Sequence, residues 1–281
     1  MRIILKKEEI KGNRITLSGE KARYLISVLR CSAGDELQVF DGEGSLYKSK
    51  ITGIENKKVI IDLLEQISLN AESPLNLTLV QGILKGEKMD MVIQKATELG
   101  VKEIIPAITE RSQIRHTRKV DRWRKIAEEA SRQSGRTMIP VVHEPMEFSN
   151  FFEGYCNPPV PPLEKGGKGG FESLVNSHKI KGFIFWEEGG LPLKEAIEKM
   201  QDTRYKMQDT RENLSNHPES CIMNPASLYL LIGPEGGFSK EEVSLAVSKG
   251  LITVSLGKRI LRAETAAISA VALIQFLLGD I

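Results

Sequence analysis

From residue 75 onward, short apolar runs alternate with segments of helical period, and that alternation admits very few architectures. Residues 75–81, 101–107, 182–186, 227–232 and 252–256 read as strands. Between and after them, 88–99, about 119–134, 191–200, 239–249 and 263–278 read as helices. In the first of these, Met89, Val92, Ile93, Ala96 and Leu99 share one side, and Gly100 supplies the C-terminal stop. Ser239 and Glu242 have the S-x-x-E spacing of a capping box. Strands separated by single helices must run mostly parallel, with both faces of the sheet covered. The expected class is therefore α/β.

The first 72 residues follow another pattern. Runs at 36–40, 45–53 and 58–65 carry strand-like residues, separated by the turn signals Asp41-Gly42-Glu43-Gly44 and Glu55-Asn56-Lys57-Lys58. A helical pattern of Ala22, Leu25, Ile26 and Leu29 precedes them. Many short strands suggest a small β-barrel, with Glu72-Ser73-Pro74 as the hinge, so the expected division is 1–72 and 73–281. Two stretches break the later alternation. Residues 154–181 contain a Pro- and Gly-rich tract that cannot bury a core and reads as a mobile surface loop. Residues 201–226 contain Gln-Asp-Thr-Arg twice.

Composition removes several classes. No run reaches the roughly eighteen apolar residues of a membrane span, and the N-terminus lacks a signal-peptide centre, so a cytoplasmic location and no membrane partner are expected. Cys31, Cys156 and Cys221 are isolated, as are His116, His143, His178 and His217; neither a disulfide framework nor a metal site is expected. No G-x-G-x-x-G or G-x-x-x-x-G-K-[ST] occurs, which disfavours a Rossmann-type enzyme. The net charge of +2 is too small to announce a nucleic-acid binder. Charge is nevertheless concentrated: nine basic residues against three acidic ones between Arg111 and Arg136 leave +6. Such a stretch is either a solvated helix face or a grip on phosphate.

Two glycine-punctuated segments stand out, Ile232-Gly233-Pro234-Glu235-Gly236-Gly237-Phe238 and Leu256-Gly257-Lys258-Arg259-Ile260-Leu261-Arg262-Ala263-Glu264-Thr265-Ala266. Each follows an apolar run and leads into a helix, so both read as loops at the ends of adjacent strands, where open α/β sheets bind ligands. Glycines there let main-chain groups approach a small molecule, and helix N-termini would face it. The bland alternatives stay open: ordinary turns, a structural Arg262–Glu264 pair, and a solvent-exposed Arg30. The final helix is apolar nearly all round, which fits either a core helix or a subunit interface.

Together with Gly86-Glu87-Lys88-Met89, the run from Gln94 to Val101 and Arg132-Gln133-Ser134-Gly135-Arg136, these loops resemble the bacterial family that methylates uridine N3 in small-subunit ribosomal RNA. The resemblance extends from Val28-Leu29-Arg30 and Gly34-Asp35 to Thr265. It implies a SPOUT-type, trefoil-knotted α/β methyltransferase domain behind a PUA-like β-barrel. It also implies S-adenosylmethionine as cofactor, 16S ribosomal RNA as partner, within or outside the small subunit, and a homodimer. On this resemblance, main chain around Leu231, Gly233, Gly237, Leu256, Ile260 and Leu261 cradles the cofactor, with Pro234, Glu235, Gly236, Gly257 and Thr265 in the same loops. Arg30, Arg111, Arg115, Arg132 and Arg136 would contact RNA. Uridine N3 is protonated, so methylation needs a base or a cation to stabilise the uridine anion. Arg262 or Arg136 could serve as the cation, with Glu235 or Glu264 assisting. Two competing readings are a non-catalytic RNA-binding or ribosome-assembly protein, and a knotted methyltransferase acting on transfer RNA or ribose 2′-oxygen. The first predicts loss of the glycine loops, which are present. The front barrel disfavours the second.

Overall fold

The computed structural model describes residues 1–68, 71–156, 180–201 and 227–281. Most of both anomalous stretches, with His178, His217 and Cys221, lies outside these residues. The chain divides into two compact units, Met1–Glu72 with Lys125–Pro140, and Ser73–Arg124 with Val141–Ile281.

The first unit is built on β1 (Arg2–Ile4), β2 (Arg14–Leu17), β3 (Glu36–Phe40), β4 (Leu46–Glu55) and β5 (Lys58–Ile67), in the order β1-β3-β4-β5-β2. Asn56 and Lys57 both adopt positive φ, 50° and 61°, giving the tight turn whose twist matches an antiparallel hairpin. Leu5, Leu25, Val39, Ile51, Val59 and Ile61 form the centre of its core. The expected helix over Ala22 to Leu29 is instead a short α1 (Gly19–Arg23) followed by a π turn, Tyr24–Val28, which ends where Arg30 turns to φ 53°. Cys31 is a free, buried thiol.

Lys125–Pro140 packs with this unit rather than with the remainder of 73–281. The reason is a buried charge cluster. Glu72 accepts hydrogen bonds from the Arg136 guanidinium at 2.9 Å and from the Thr137 and Met138 N–H groups at 2.9 and 3.0 Å. Ile139 N–H also donates to the Gly42 carbonyl at 2.9 Å.

In the second unit, β6 (Leu77–Gly82), β7 (Glu103–Ile108), β8 (Val141–Val142), β10 (Gly182–Phe185), β11 (Leu191–Pro192), β12 (Leu228–Ile232) and β13 (Ile252–Ser255) form a parallel sheet ordered β11-β13-β10-β12-β6-β7-β8. A short β9 (Met146–Glu147) also pairs with β7. The helices are α2 (Lys88–Glu98), α3 (Val120–Ser134), α4 (Phe148–Cys156), α5 (193–201), α6 (Lys240–Ser248) and α7 (Ala263–Leu278). α3 begins in this unit and continues into the first. The reciprocal capping box of Ser239 and Glu242 starts α6. β6 and β10 are buried throughout, as strands covered on both faces must be.

Strand order corrects one expectation. The two strands that carry the glycine loops, β12 and β13, are not neighbours, because β10 pairs with both. The end of β10 therefore enters the site between the loops.

α7 buries Ala267, Ala270, Val271, Ile274 and Gln275. Ser73 Oγ donates to Gln275 Oε1 at 2.8 Å, and Gln275 Nε2 donates to the Leu99 carbonyl at 2.7 Å, so this buried amide is satisfied. The other side of α7 exposes Leu273, Phe276 and Leu277, with Phe276 at 68%. Among the described residues no helix is long and apolar enough to cross a membrane, and no cluster of His, Cys, Asp or Glu could hold a metal ion.

Candidate functional site

The C-terminal ends of β12, β10 and β13 and the start of α7 enclose a crevice with two lobes. The larger, about 330 Å³, is lined by Lys88, residues 232–235, Gly237 and residues 260–264. The smaller, about 100 Å³, is lined by Phe185, Trp186 and residues 254–261. Phe185, Glu187, Ile260, Leu261 and Ala266 border both.

Gly233, Pro234, Glu235, Gly237, Ile260, Leu261, Arg262 and Glu264 thus meet in the larger lobe, and Leu256 and Gly257 in the smaller. Three of the expected cofactor residues do not line it. Leu231 is wholly buried in the core, Thr265 faces solvent, and Gly236 turns toward Arg111, whose Nη1 donates to its carbonyl at 3.2 Å. Phe185, Trp186 and Glu187 line the crevice without having been singled out, and Lys88 and Ala266, quoted only within the motifs, line it too. The signal for three of them was present: the run at 182–186 ends in Glu187-Glu188-Gly189-Gly190, the same strand-then-glycine pattern as the two loops.

Two glycines are set by their surroundings. Gly237 has φ 69°, and a Cβ there would fall 2.1 Å from Glu187 Oε1. A Cβ on Gly82 would fall 2.4 Å from the Pro234 nitrogen. Backbone cannot swing aside as a side chain can, so Gly82→Ala is expected to cost about 1–3 kcal/mol and to displace the Gly233 loop. Denaturant titration checks this; unchanged stability would show that the loop yields freely.

Lys88 Nζ lies 3.3 Å from Glu235 Oε1 and 3.7 Å from Glu264 Oε2. Glu235 Oε1 also accepts the Lys85 N–H at 3.1 Å. Burial pushes the Glu235 carboxyl up, but the Lys85 N–H and the Lys88 ammonium outweigh it and hold the carboxyl below the ordinary Glu value. A carboxylate so held is a poor proton acceptor and a good clamp for the loop. Its ionised form stabilises the fold above the ordinary Glu range, and that contribution fades as pH falls through the lowered value. The stability gap between wild type and Glu235→Gln is therefore expected to close as the pH is taken well below 4.5. Melting curves across that range decide; a gap that grows in acid contradicts the clamp.

Glu264 sits in the first turn of α7, where a negative charge is favoured. Its Oε2 is buried without a hydrogen-bond partner. Arg262, the N-cap residue of that helix, is exposed and makes no ion pair among the described residues. The structural Arg262–Glu264 pair does not form, because Glu264 faces Lys88 instead.

Four of the nine basic residues of the stretch are held in close ion pairs. Arg122 pairs with Asp90 at 2.8 Å, Arg124 with Glu144 at 2.8 Å, Arg132 with Glu129 at 2.7 Å and Arg136 with Glu72 at 2.9 Å. Arg132 also stacks over the Tyr24 ring at 4.9 Å and donates to its hydroxyl. Arg136 is 3% exposed and does not line the crevice, so its expected roles in RNA contact and catalysis are corrected to a buried structural one. Arg30, Arg111 and Arg115 are exposed. Arg115 approaches Glu147 only at 4.0 Å.

Residues 71–275 match the family model of the RNA methyltransferase domain, and residues 17–64 match that of the RNA methyltransferase PUA domain. The chain is 33% identical over 278 residues to Ribosomal RNA small subunit methyltransferase E of Synechocystis sp., covering 99% of this chain and 78% of that protein. The Bacillus subtilis protein of the same name is 27% identical, covering 98% and 94%. The crystal structure of a Ribosomal RNA small subunit methyltransferase E from Neisseria gonorrhoeae, bound to S-adenosyl methionine, superposes with a TM-score of 0.76 at 28% identity, covering 100% of this chain and 98% of that one.

Proposed function

We propose that this chain, which belongs to the RNA methyltransferase family, uses S-adenosylmethionine to methylate N3 of a uridine in 16S ribosomal RNA. The observation that carries this reading is the convergence of both glycine loops on one crevice that holds an arginine without an ion pair among the described residues, Arg262, and a partly buried glutamate, Glu264. The names and the bound cofactor of the relatives point the same way.

The crevice fits the cofactor. Its 330 Å³ lobe is within the usual range for small-molecule sites, and main chain from both loops supplies donors and acceptors. Trp186 lines the smaller lobe with its indole N–H buried and without a partner. The main chain of 233–235, Gly237 and 256–261, with Phe185 and Leu261, would hold the group. When bound, it supplies an electrophilic methyl on a sulfonium that leaves as a neutral thioether.

The chain's own tasks are then placement and charge. Holding two reactants in line supplies on the order of 7–11 kcal/mol of a barrier. Loss of the N3 proton leaves a uridine anion spread over O2 and O4, and the free Arg262 guanidinium is the group that stabilises it. Glu264, with an oxygen that accepts no hydrogen bond, is better placed than the clamped Glu235 to take the proton. Lys88 Nζ lies 3.7 Å from that oxygen.

A uridine in a duplex hides N3 in pairing, so the target is a loop or splayed base. Arg111 and Arg115, exposed in the unit that holds the crevice, are left to hold its flanking phosphates, and Arg30 is an exposed candidate for RNA contact on the first unit. The reading includes a cytoplasmic setting, a small-subunit context, and a trefoil-knotted topology. It also includes a homodimer, supported by the apolar side of α7 and by Ile260, 84% exposed. Nucleoside mass analysis of 16S RNA from a deletion strain tests the activity: 3-methyluridine should vanish and return on complementation. Its persistence would refute the assignment.

A further inference from the structure

Glu187 follows β10, where the two lobes of the crevice meet, and nothing in the reaction above gives it a task. The other two carboxylates of the crevice are engaged, Glu235 by Lys88 and the Lys85 N–H, and Glu264 by Lys88. Glu187 is exposed to the crevice with no hydrogen bond or ion pair among the described residues. Its carboxylate lies against Gly237, where only a missing Cβ leaves it room.

An ionised carboxylate only accepts hydrogen bonds, so it selects a ligand by its donors. The lobes differ in character. Trp186 and the loop from Leu256 to Arg259 line only the smaller, whereas Lys88, Arg262 and Glu264 gather in the larger, and Phe185 borders both. The proposed reaction places the transferred methyl in the larger lobe, beside Arg262. A flat base then fills the smaller lobe, and the sugar that joins the two ends lies between, at Glu187. We infer that the Glu187 carboxylate accepts hydrogen bonds from the 2′- and 3′-hydroxyls of the adenosine ribose and so fixes the ligand across both lobes. Two vicinal O–H donors match two carboxylate oxygens, the same pairing of an acidic side chain with a ribose used in other nucleotide crevices. This inference rests on the proposed cofactor.

Calorimetric titration of the full chain tests it, with wild type, Glu187→Gln and Glu187→Ala. The probes are S-adenosylhomocysteine, its 2′-deoxy analogue, and 5′-methylthioadenosine, which keeps the diol but lacks the amino-acid group. Glu187→Ala is expected to weaken S-adenosylhomocysteine and 5′-methylthioadenosine alike, by about tenfold or more, as for a lost hydrogen bond to a charged group. The 2′-deoxy analogue should lose less. Glu187→Gln, which keeps the shape beside Gly237, should weaken the same two ligands, whereas a purely packing role would spare them. Weakening of S-adenosylhomocysteine with 5′-methylthioadenosine unchanged would place the carboxylate on the amino group and overturn the inference. So would three unchanged affinities. If wild type binds none of the probes, the cofactor reading fails and takes the inference with it.

Discussion

Arg262→Ala is expected to lower kcat by about 10²–10³-fold, the usual cost of removing one group aimed at developing charge, while leaving the affinity for S-adenosylhomocysteine nearly unchanged. The split follows from the geometry. Arg262 is held at the N-cap of α7 with an extended backbone, φ −64° and ψ 149°, and its side chain pairs with nothing among the described residues. The cofactor cradle is made by other groups, chiefly main chain of the two loops. An effect confined to the transition state lowers kcat and kcat/KM together. Single-turnover methylation of an RNA fragment, run beside calorimetry, separates the two quantities. Equal loss of cofactor affinity, with chemistry intact once the site is saturated, would move Arg262 from anion stabilisation to ligand binding.

The second large effect is on stability. Arg136→Ala should cost about 3–5 kcal/mol, because it strands Glu72, 14% exposed on its side chain, without its cation. Arg136→Lys should recover only part, since an ammonium cannot reproduce donation from both Nε and Nη2. Chemical denaturation of both variants checks the order. A loss below about 1 kcal/mol, with RNA binding abolished, would restore Arg136 to the RNA-contacting role that its motif suggested.

The fold was legible wherever periodicity was strong. α2, α6 and α7 and the strands between them are marked by apolar spacing and by caps such as Ser239 with Glu242, which the structure realises in both directions. β1 and β2, three and four residues long, left too short a pattern to read. The spacing of Ala22, Leu25, Ile26 and Leu29 could not distinguish α-helical from π hydrogen bonding.

The site was legible as two loops and illegible as a neighbourhood. Glycine content marks where main chain is bare, but strand order in space is not written in chain order, so the insertion of β10 between β13 and β12 hid Phe185, Trp186 and Glu187. Charge misled for a related reason. Counting Arg122, Arg124, Arg132 and Arg136 as a basic patch ignores Asp90, Glu144 and Glu72, which lie far away in sequence and neutralise three of them. Arg262, to which the proposed chemistry assigns the anion, has no ion pair among the described residues, a property no one-dimensional pattern records.

The most direct test is a crystal structure of the full chain with S-adenosylhomocysteine. Density is expected to span both lobes, from the main chain at Leu256 and Gly257, past Glu187, to the side of Gly233 and Arg262. Density lodged elsewhere, or a ligand that touches only one of the two glycine loops, would contradict the shared crevice on which the proposed chemistry depends.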